Sequence, residues 1–349
     1  MLTGFYTVLK DADRYLRFVF ITGVTKFSQL GVFSNLNQLM DISMNPDYAT
    51  VCGMTKDEIE RDFQPELAAL AAMNKLTYEQ TVNELTKRYD GYHFSEFQTE
   101  GVFNPFSVLN ALIQRRFSSY WFSTGTPTML VEMLKKTDYD LRKLDGIEVP
   151  AAALTDYRMD FHNPVPIIYQ SGYLTIKEYD LLKNFYVLGY PNAEVEYGWL
   201  NFITPYYTPM SEANAPFYIG KFWDELREGD VDSFMERLRA FFVGMPYELN
   251  DKTERHYQVI FYIVFKLLGQ YVDVEVRSAR GRADAVVKTT DYIYVFEFKL
   301  NGSVDEALRQ IDDRGYLIPY AADGRQLVKV GASFNKEDRN IGEWKAVDS

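Results

Sequence analysis

An alternating run of residues near the C-terminus, YIYVFEFK at 292–299, constrains the fold of this chain more than any other segment. Successive side chains of a β-strand point to opposite faces, so the aromatic residues of this run share one face. The opposite face carries two aliphatic and two charged side chains, Ile293, Val295, Glu297 and Lys299. An unpaired charge in an apolar strand is unfavourable. The run therefore predicts a strand whose charged end has a partner or a chemical role.

Asp284 is a second acidic residue that the same hairpin can bring close to Glu297. The segment GRADAVV at 281–287 is strand-like, and the turn KTTD at 288–291 predicts that it pairs with the alternating run. Two carboxylates and a lysine then form an oxygen-rich site suited to Mg²⁺ or Mn²⁺. Such a metal polarises a phosphate and lowers the pKa of a bound water, while Lys299 stabilises charge or positions the nucleophile.

Two helices predicted beside these strands add polar candidates. Glu254 and Gln258 lie one turn apart in the first helix and Gln310 lies in the second, so either helix can supply a ligand or a polar clamp. A simpler interpretation of the charged pair stays open. Glu297 and Lys299 can form a solvated pair on an edge strand, which contributes about a few tenths of a kcal/mol.

The C-terminal region predicts a mixed α/β unit that follows a boundary at 243–253. An amphipathic helix at 253–269 has Thr253 or Asp251 as its N-cap and ends at Gly269. Strands are predicted near 271–276, 282–288 and 291–299, then a helix at 303–316 that opens with the capping box SVDE, and a strand near 326–334. The predicted order is α-β-β-β-α-β.

The preceding part of the chain predicts mostly helices. Helical patterns lie at 55–73, 77–89, 104–117, 123–136 and 221–243. A short apolar strand is predicted at 15–28, and 167–180 predicts two short strands joined at Ser171–Gly172. The Pro- and Asn-containing stretch at 189–198 is predicted to be a separator.

The C-terminal segments GRADAVV, YVFEFKL and ALRQIDDRGYLIPY resemble the PD-(D/E)xK nuclease superfamily. In this chain Ala283 stands where the motif's proline would be. The resemblance implies an α-β-β-β-α-β restriction-endonuclease-like core. It also implies a set of site residues: the metal ligands Asp284 and Glu297, the catalytic lysine Lys299, the helix-borne acid Glu254, and Gln310 as the glutamine that follows the motif.

The N-terminal segments FVFITGVTKFS, RYDGYHFS, NPFSVLNAL, TGTPTML and QSGYLTIK resemble parts of bacterial AAA-ATPase-like proteins that carry such a nuclease-like domain. The resemblance implies an α/β and α+β multidomain chain. It has a partial AAA-like domain with a helical lid at 1–135, a winged-helix-like and helical connector at 136–248, and the nuclease-like domain at 249–349. Thr22, Thr25 and Ser28 would occupy a sensor-like position.

The phosphate-binding loop of such ATPases is missing from the sequence. No Gly-x4-Gly-Lys-Ser/Thr segment occurs, and the resemblance implies that both Walker segments would lie upstream of Met1. The chain thus resembles a shortened form, and we expect it neither to bind nor to hydrolyse ATP.

Charge and composition limit the partners of the chain. The net charge is −12, but the residues from Asp251 onward hold 15 basic and 16 acidic side chains, so the acidity belongs to the preceding 250 residues. The C-terminal region is therefore not electrostatically barred from a nucleic acid. The single cysteine, Cys52, together with the absence of a signal-peptide layout or a long apolar run, predicts a cytoplasmic protein without a membrane partner.

Arg277, Arg280 and Arg282 flank the Asp284 turn and are candidates for holding phosphates, although a soluble turn with surface charges explains them equally well. Together these features favour a Mg²⁺-dependent nuclease that acts on DNA or RNA. The alternative is a catalytically inactive nuclease-like protein that serves as an interaction module for protein or nucleic acid.

Overall fold

A computed structural model describes most of the chain, and it divides into two compact units. The first unit comprises Met1–Tyr139 and Lys143–Gly198, and the second comprises Asp140–Arg142 and Trp199–Ser349. The described residues are 8, 12–23, 40–98, 100–124, 128–136, 139–155, 163–208, 210–211, 214–243, 254–271, 273–276, 283–300, 302–335 and 340–349. Each unit has its own buried core.

The described part of the first unit is mainly helical, as expected. Its helices are α1 (Lys56–Asp62), α2 (Gln64–Asn74), α3 (Tyr78–Tyr89), α4 (Pro105–Gln114), α5 (Thr128–Lys136), α6 (Ala151–Thr155) and α7 (Val165–Gln170). Thr55 and Thr77 form capping boxes with Glu58 and Gln80, which satisfy free N–H groups at the starts of α1 and α3. The pattern predicted as one helix at 55–73 is two helices, because Pro65 starts a new helix after Phe63.

The first unit contains a small antiparallel sheet, and the structure around it differs from two sequence predictions. Its strands are β1 (Ile147–Pro150), β2 (Thr175–Asp180) and β3 (Phe185–Gly189), in the order β1-β3-β2. The first of the two strands predicted within 167–180 is instead part of α7, whose consecutive residues Ile167 and Ile168 are both buried. The predicted separator at 189–198 contains the start of α8 (Ala193–Tyr207), where the Asn192 side chain accepts the N–H of Val195.

The prediction of a strand at 15–28 is also wrong for residues 15–23, the part of this segment that the structure describes. Residues 16–23 lie in no strand, and Phe18 is 80% exposed. A strand needs a neighbour for its backbone hydrogen bonds, and no described strand pairs with this segment. Thr25 and Ser28 lie outside the described residues.

The second unit contains the predicted α-β-β-β-α-β order and one further strand. Its elements after α8 are α9 (Ala215–Glu228), α10 (Val231–Val243), α11 (Glu254–Leu268), β4 (Asp273–Val276), β5 (Ala285–Lys288), β6 (Tyr292–Lys299), α12 (Val304–Asp313), β7 (Gln326–Asn335) and β8 (Asn340–Asp348). They form a sheet in the order β4-β5-β6-β7-β8, in which β6 and β7 are parallel and the other neighbours are antiparallel. The extra strand, β8, was not predicted.

Strand β6 is the middle strand of this sheet, and helices cover both of its faces. The ring of Phe296 lies 5.0 Å from that of Phe265 on α11 and 5.5 Å from that of Phe234 on α10. On the opposite face Ile293 and Val295 pack with apolar residues of α12. The interpretation of Glu297 and Lys299 as an edge-strand pair is therefore wrong, because β6 has a neighbour on each side.

Helix α12 lies close to the sheet, where it carries Gln310 toward the charged end of β6. Its first turn is fixed by a capping box between Ser303 and Glu306. The close approach requires glycine at position 331 of β7, opposite Glu297. A Cβ at Gly331 would lie 2.9 Å from both the Cγ of Leu308 and the carbonyl oxygen of Val304.

We expect Gly331→Ala to lower the free energy of unfolding by about 1–3 kcal/mol, because the added methyl overpacks the contact between α12 and β7. Urea unfolding followed by circular dichroism measures the change. The control is Gly220→Ala in α9, where a Cβ has open space and alanine stabilises a helix by up to about 1 kcal/mol. Equal unfolding midpoints for the two variants would contradict the close packing of α12 on β7.

Candidate active site

Asp284 is fixed at the end of the β5–β6 ladder. Its backbone N–H donates to the carbonyl oxygen of Phe296 at 3.1 Å, which extends the pairing one residue beyond Ala285. Its Oδ2 accepts the backbone N–H of Phe298 at 2.8 Å. These two bonds hold the carboxylate beside the strand position of Glu297, where the hairpin pairing predicted it.

Glu297, Lys299 and Gln310 form a closed set of hydrogen bonds. The Lys299 ammonium donates to Oε1 of Glu297 at 2.9 Å and also to Oε1 of Gln310. The Gln310 amide donates to the same Glu297 oxygen and to the hydroxyl of Tyr316, the latter at 3.3 Å. Gln310 therefore reaches both charged residues from α12 and sets their mutual orientation.

The ionised form of each carboxyl group, Asp284 and Glu297, is disfavoured at this site. Burial, and then the charge of Asp284, raise the pKa of Glu297 to about 7, and the contact with Lys299 offsets only part of this effect. Burial likewise raises the pKa of Asp284, against the Phe298 N–H and the charges of Lys299 and Arg142. A bound cation would relieve both effects, since it favours the ionised form of each group.

One carboxylate oxygen of Glu297 is suited to bind a metal. Glu297 is 4% exposed, and its buried Oε2 accepts no hydrogen bond from the described part of the chain. Mg²⁺ typically takes one or two carboxylates and completes its shell with water and substrate oxygens. Asp284 and Glu297 meet that need, even though no cluster of three or more His, Cys, Asp or Glu side chains occurs among the described residues.

Other predicted site residues are only partly placed. Glu254 is the first residue of α11, but its side chain lies outside the described part of the chain. Arg277, Arg280 and Arg282 lie entirely outside it. The roles assigned to these four residues stay predictions.

Arg142 is a residue near the site that sequence reasoning missed. Its guanidinium donates to both carboxylate oxygens of Asp140, and its Nη1 donates to Oε1 of Gln258 on α11. It lies 116 positions before Gln258 in the chain. Only the Asp-x-Arg spacing in the sequence hints at the Asp140–Arg142 pair.

A comparison with known proteins finds a relative that is similar to nearly the whole chain. An uncharacterised protein in the vnfD 5′ region of Azotobacter chroococcum mcd 1 is 32% identical over 349 aligned residues, which cover 97% of this chain and 65% of that protein. The chain thus spans about two thirds of this relative's length. No solved structure matches the chain.

No helix in the described part of the chain is both long and apolar enough to cross a membrane.

A match to a protein-family model covers the candidate site. The matched residues include α11, the β5–β6 hairpin and α12. Residues 252–344 match the family model of the PD-(D/E)XK nuclease superfamily, so the second unit contains a domain of that superfamily.

Proposed function

We propose that the second unit is a nuclease that hydrolyses phosphodiester bonds of DNA or RNA with Mg²⁺ or Mn²⁺. The observation that carries the proposal is the meeting of Asp284, Glu297, Lys299 and Gln310 at one end of β6. This end lies within a domain of a nuclease superfamily. Glu297 is buried there and Asp284 is half-buried.

In the proposed mechanism Asp284 and Glu297 would hold the metal ion, which would polarise the phosphate and activate a water molecule. The Lys299 side chain is 24% exposed, and its ammonium stabilises the negative charge that develops on the phosphate oxygens. Gln310 acts as a positioning residue, because its amide holds Glu297 and Lys299 at once. Glu254 is proposed as a further acid, and the arginines at 277, 280 and 282 as phosphate contacts.

Lys299→Ala is expected to reduce the cleavage rate by about 10²–10³-fold with little change in nucleic-acid affinity, because the lost charge acts on the transition state. Single-turnover cleavage measures the effect. The matched control is Lys329→Ala, since Lys329 is another half-buried lysine of the sheet whose ion pair is with Asp312. A rate for Lys299→Ala that equals the control's would remove Lys299 from the mechanism.

A second function is favoured by one observation. Lys299 is engaged by Glu297 and Gln310, as in a structural ion pair. A catalytically inactive module that binds nucleic acid or protein would show this arrangement too. It predicts binding without cleavage, and binding that is unchanged when Asp284 is replaced.

The two functions are separated by incubating the purified chain with labelled single- and double-stranded DNA and RNA, in Mg²⁺, in Mn²⁺ and in EDTA. The nuclease proposal predicts products with either metal and none in EDTA. Absence of products from all four substrates with both metals would overturn it and favour the module.

Residues 1–135 are proposed to be a partial AAA-like domain with a helical lid that does not hydrolyse ATP, and residues 136–248 a winged-helix-like and helical connector. The support is the sequence resemblance and the missing phosphate-binding loop. We also propose that the protein acts in the cytoplasm. Titration with labelled ATP tests the first point, and micromolar binding would contradict it.

A further inference from the structure

Arg142 is held in a fixed orientation by two side chains. Its Nε and Nη2 donate to Oδ1 and Oδ2 of Asp140 at 2.9 and 2.8 Å, and its Nη1 donates to Gln258. Asp140 is buried, and the Arg142 side chain is 19% exposed. Such a two-oxygen contact fixes the plane of the guanidinium.

The contact with Gln258 places Arg142 at the charged end of β6. Gln258 lies one helical turn before Phe261, so both lie on one face of α11. The ring of Phe261 is 4.2 Å from that of Phe298. In sequence Phe298 stands between Glu297 and Lys299, with its ring on the opposite face of β6, and its backbone N–H donates to Oδ2 of Asp284. The charge of Arg142 also acts on the Asp284 carboxyl, whose pKa it lowers against the effect of burial.

The Arg142 guanidinium has N–H groups that make no contact with the described part of the chain. An arginine side chain has five N–H groups, and the contacts to the described part of the chain use three of them. One N–H remains on each terminal nitrogen. Two such groups in one plane match the oxygens of a phosphate.

We propose that Arg142 is a phosphate-binding residue of the nuclease site, contributed by a segment that lies outside the superfamily match at 252–344. The inference rests on the proposed nuclease function and adds a substrate contact to it. Asp140 and Gln258 position the guanidinium before substrate arrives, so little conformational freedom is lost on binding. Its target is a phosphate of the nucleic-acid backbone, which both DNA and RNA possess.

Arg325 provides a matched control within the same unit. Its Nη2 donates to Oδ2 of Asp323 at 2.7 Å, its Nε donates to Oδ1 of the same carboxylate, and its Nη1 donates to the carbonyl oxygen of Thr289 at 2.8 Å. The design repeats that of Arg142, with a carboxylate two residues earlier and a third distant partner. Thr289 precedes β6, however, so Arg325 lies about 23 Å from the Lys299 end of that strand.

The test compares Arg142→Gln with Arg325→Gln in the full chain. Binding of a fluorescein-labelled DNA duplex and of a labelled single-stranded RNA is measured in EDTA at several salt concentrations, and cleavage is measured in Mg²⁺. We expect Arg142→Gln to weaken binding and raise KM about tenfold, and to reduce the slope of log Kd against log salt by about 1. Arg325→Gln should leave all three quantities at wild-type values.

The outcomes separate this inference from the nuclease proposal. If the wild-type chain cleaves and Arg142→Gln matches Arg325→Gln in Kd, salt slope and KM, the inference is wrong and the nuclease proposal stands. A wild-type chain that neither binds nor cleaves overturns both. If circular dichroism shows that Arg142→Gln is unfolded, Arg142→Lys decides. It keeps the charge but loses the planar fork, so a raised KM supports the contact and an unchanged KM overturns it.

Discussion

Replacing Asp284 by asparagine is expected to reduce Mg²⁺-dependent cleavage by about 10³-fold or more. The change removes one of the two carboxylates that we propose as metal ligands. Metal catalysis supplies several kcal/mol of transition-state stabilisation. The fold should survive, because an asparagine oxygen can still accept the N–H of Phe298, as Oδ2 of Asp284 does. Asparagine also removes a carboxyl whose ionisation is disfavoured by burial.

The measurement is the initial cleavage rate of the preferred substrate at saturating Mg²⁺. Arg325→Gln is the control, since it removes a charge at the other end of the strand. Cleavage by Asp284→Asn within about tenfold of the wild-type rate would exclude a metal role of that size for Asp284.

Replacing Glu297 by glutamine should have opposite effects on activity and stability. Cleavage is expected to fall about as far as for Asp284→Asn, because the second proposed ligand is lost. The metal-free protein, in contrast, should become more stable at pH 8. The pKa of Glu297 is raised from 4.5 to about 7 in the folded chain, so its ionised form is destabilising there.

The sign of this effect depends on pH. A raised carboxyl pKa means that the folded protein loses stability as the pH rises from about 4.5 through about 7, and the loss is complete above that window. Glutamine resembles the protonated form and avoids the loss, so we expect a gain of about 1–3 kcal/mol at pH 8 and little gain at pH 4.5. Urea unfolding in EDTA at the two pH values measures it.

Glu58→Gln is the matched control for this stability change. The Thr55 N–H and hydroxyl lower the pKa of Glu58, so its ionised form is stabilising and its replacement should not raise stability. If Glu297→Gln were less stable than wild type at pH 8 in EDTA, the Glu297 carboxylate would be a structural ion-pair partner of Lys299, and the inactive-module proposal would gain support.

The local sequence predicted the hairpin and α12 well. Alternation along β6 is visible because one face is wholly aromatic and the other changes from aliphatic to charged residues. The capping box of α12 is a four-residue signal. Strand β8 escaped prediction because it is an edge strand with most side chains partly or fully exposed, so it has no hydrophobic alternation.

Other features depend on contacts that are distant in sequence. Helix α7 was mistaken for a strand because its apolar run is too short to distinguish the two periods. The Arg142–Gln258 contact joins residues from far apart in the chain, and only the tertiary fold brings them together. Gln310 was a candidate from sequence because it lies in the helix that follows the motif. Its contact with both Glu297 and Lys299 depends on the packing of α12 on the sheet, which the sequence does not show.

The most direct test of the proposed metal centre is a Mn²⁺ titration followed by electron paramagnetic resonance, which reports free Mn²⁺. The account predicts one bound Mn²⁺ per wild-type chain and per Arg325→Gln chain, and loss of that site in Asp284→Asn and in Glu297→Gln. Mn²⁺ binding by Asp284→Asn and Glu297→Gln with the same stoichiometry and affinity as wild type would contradict it.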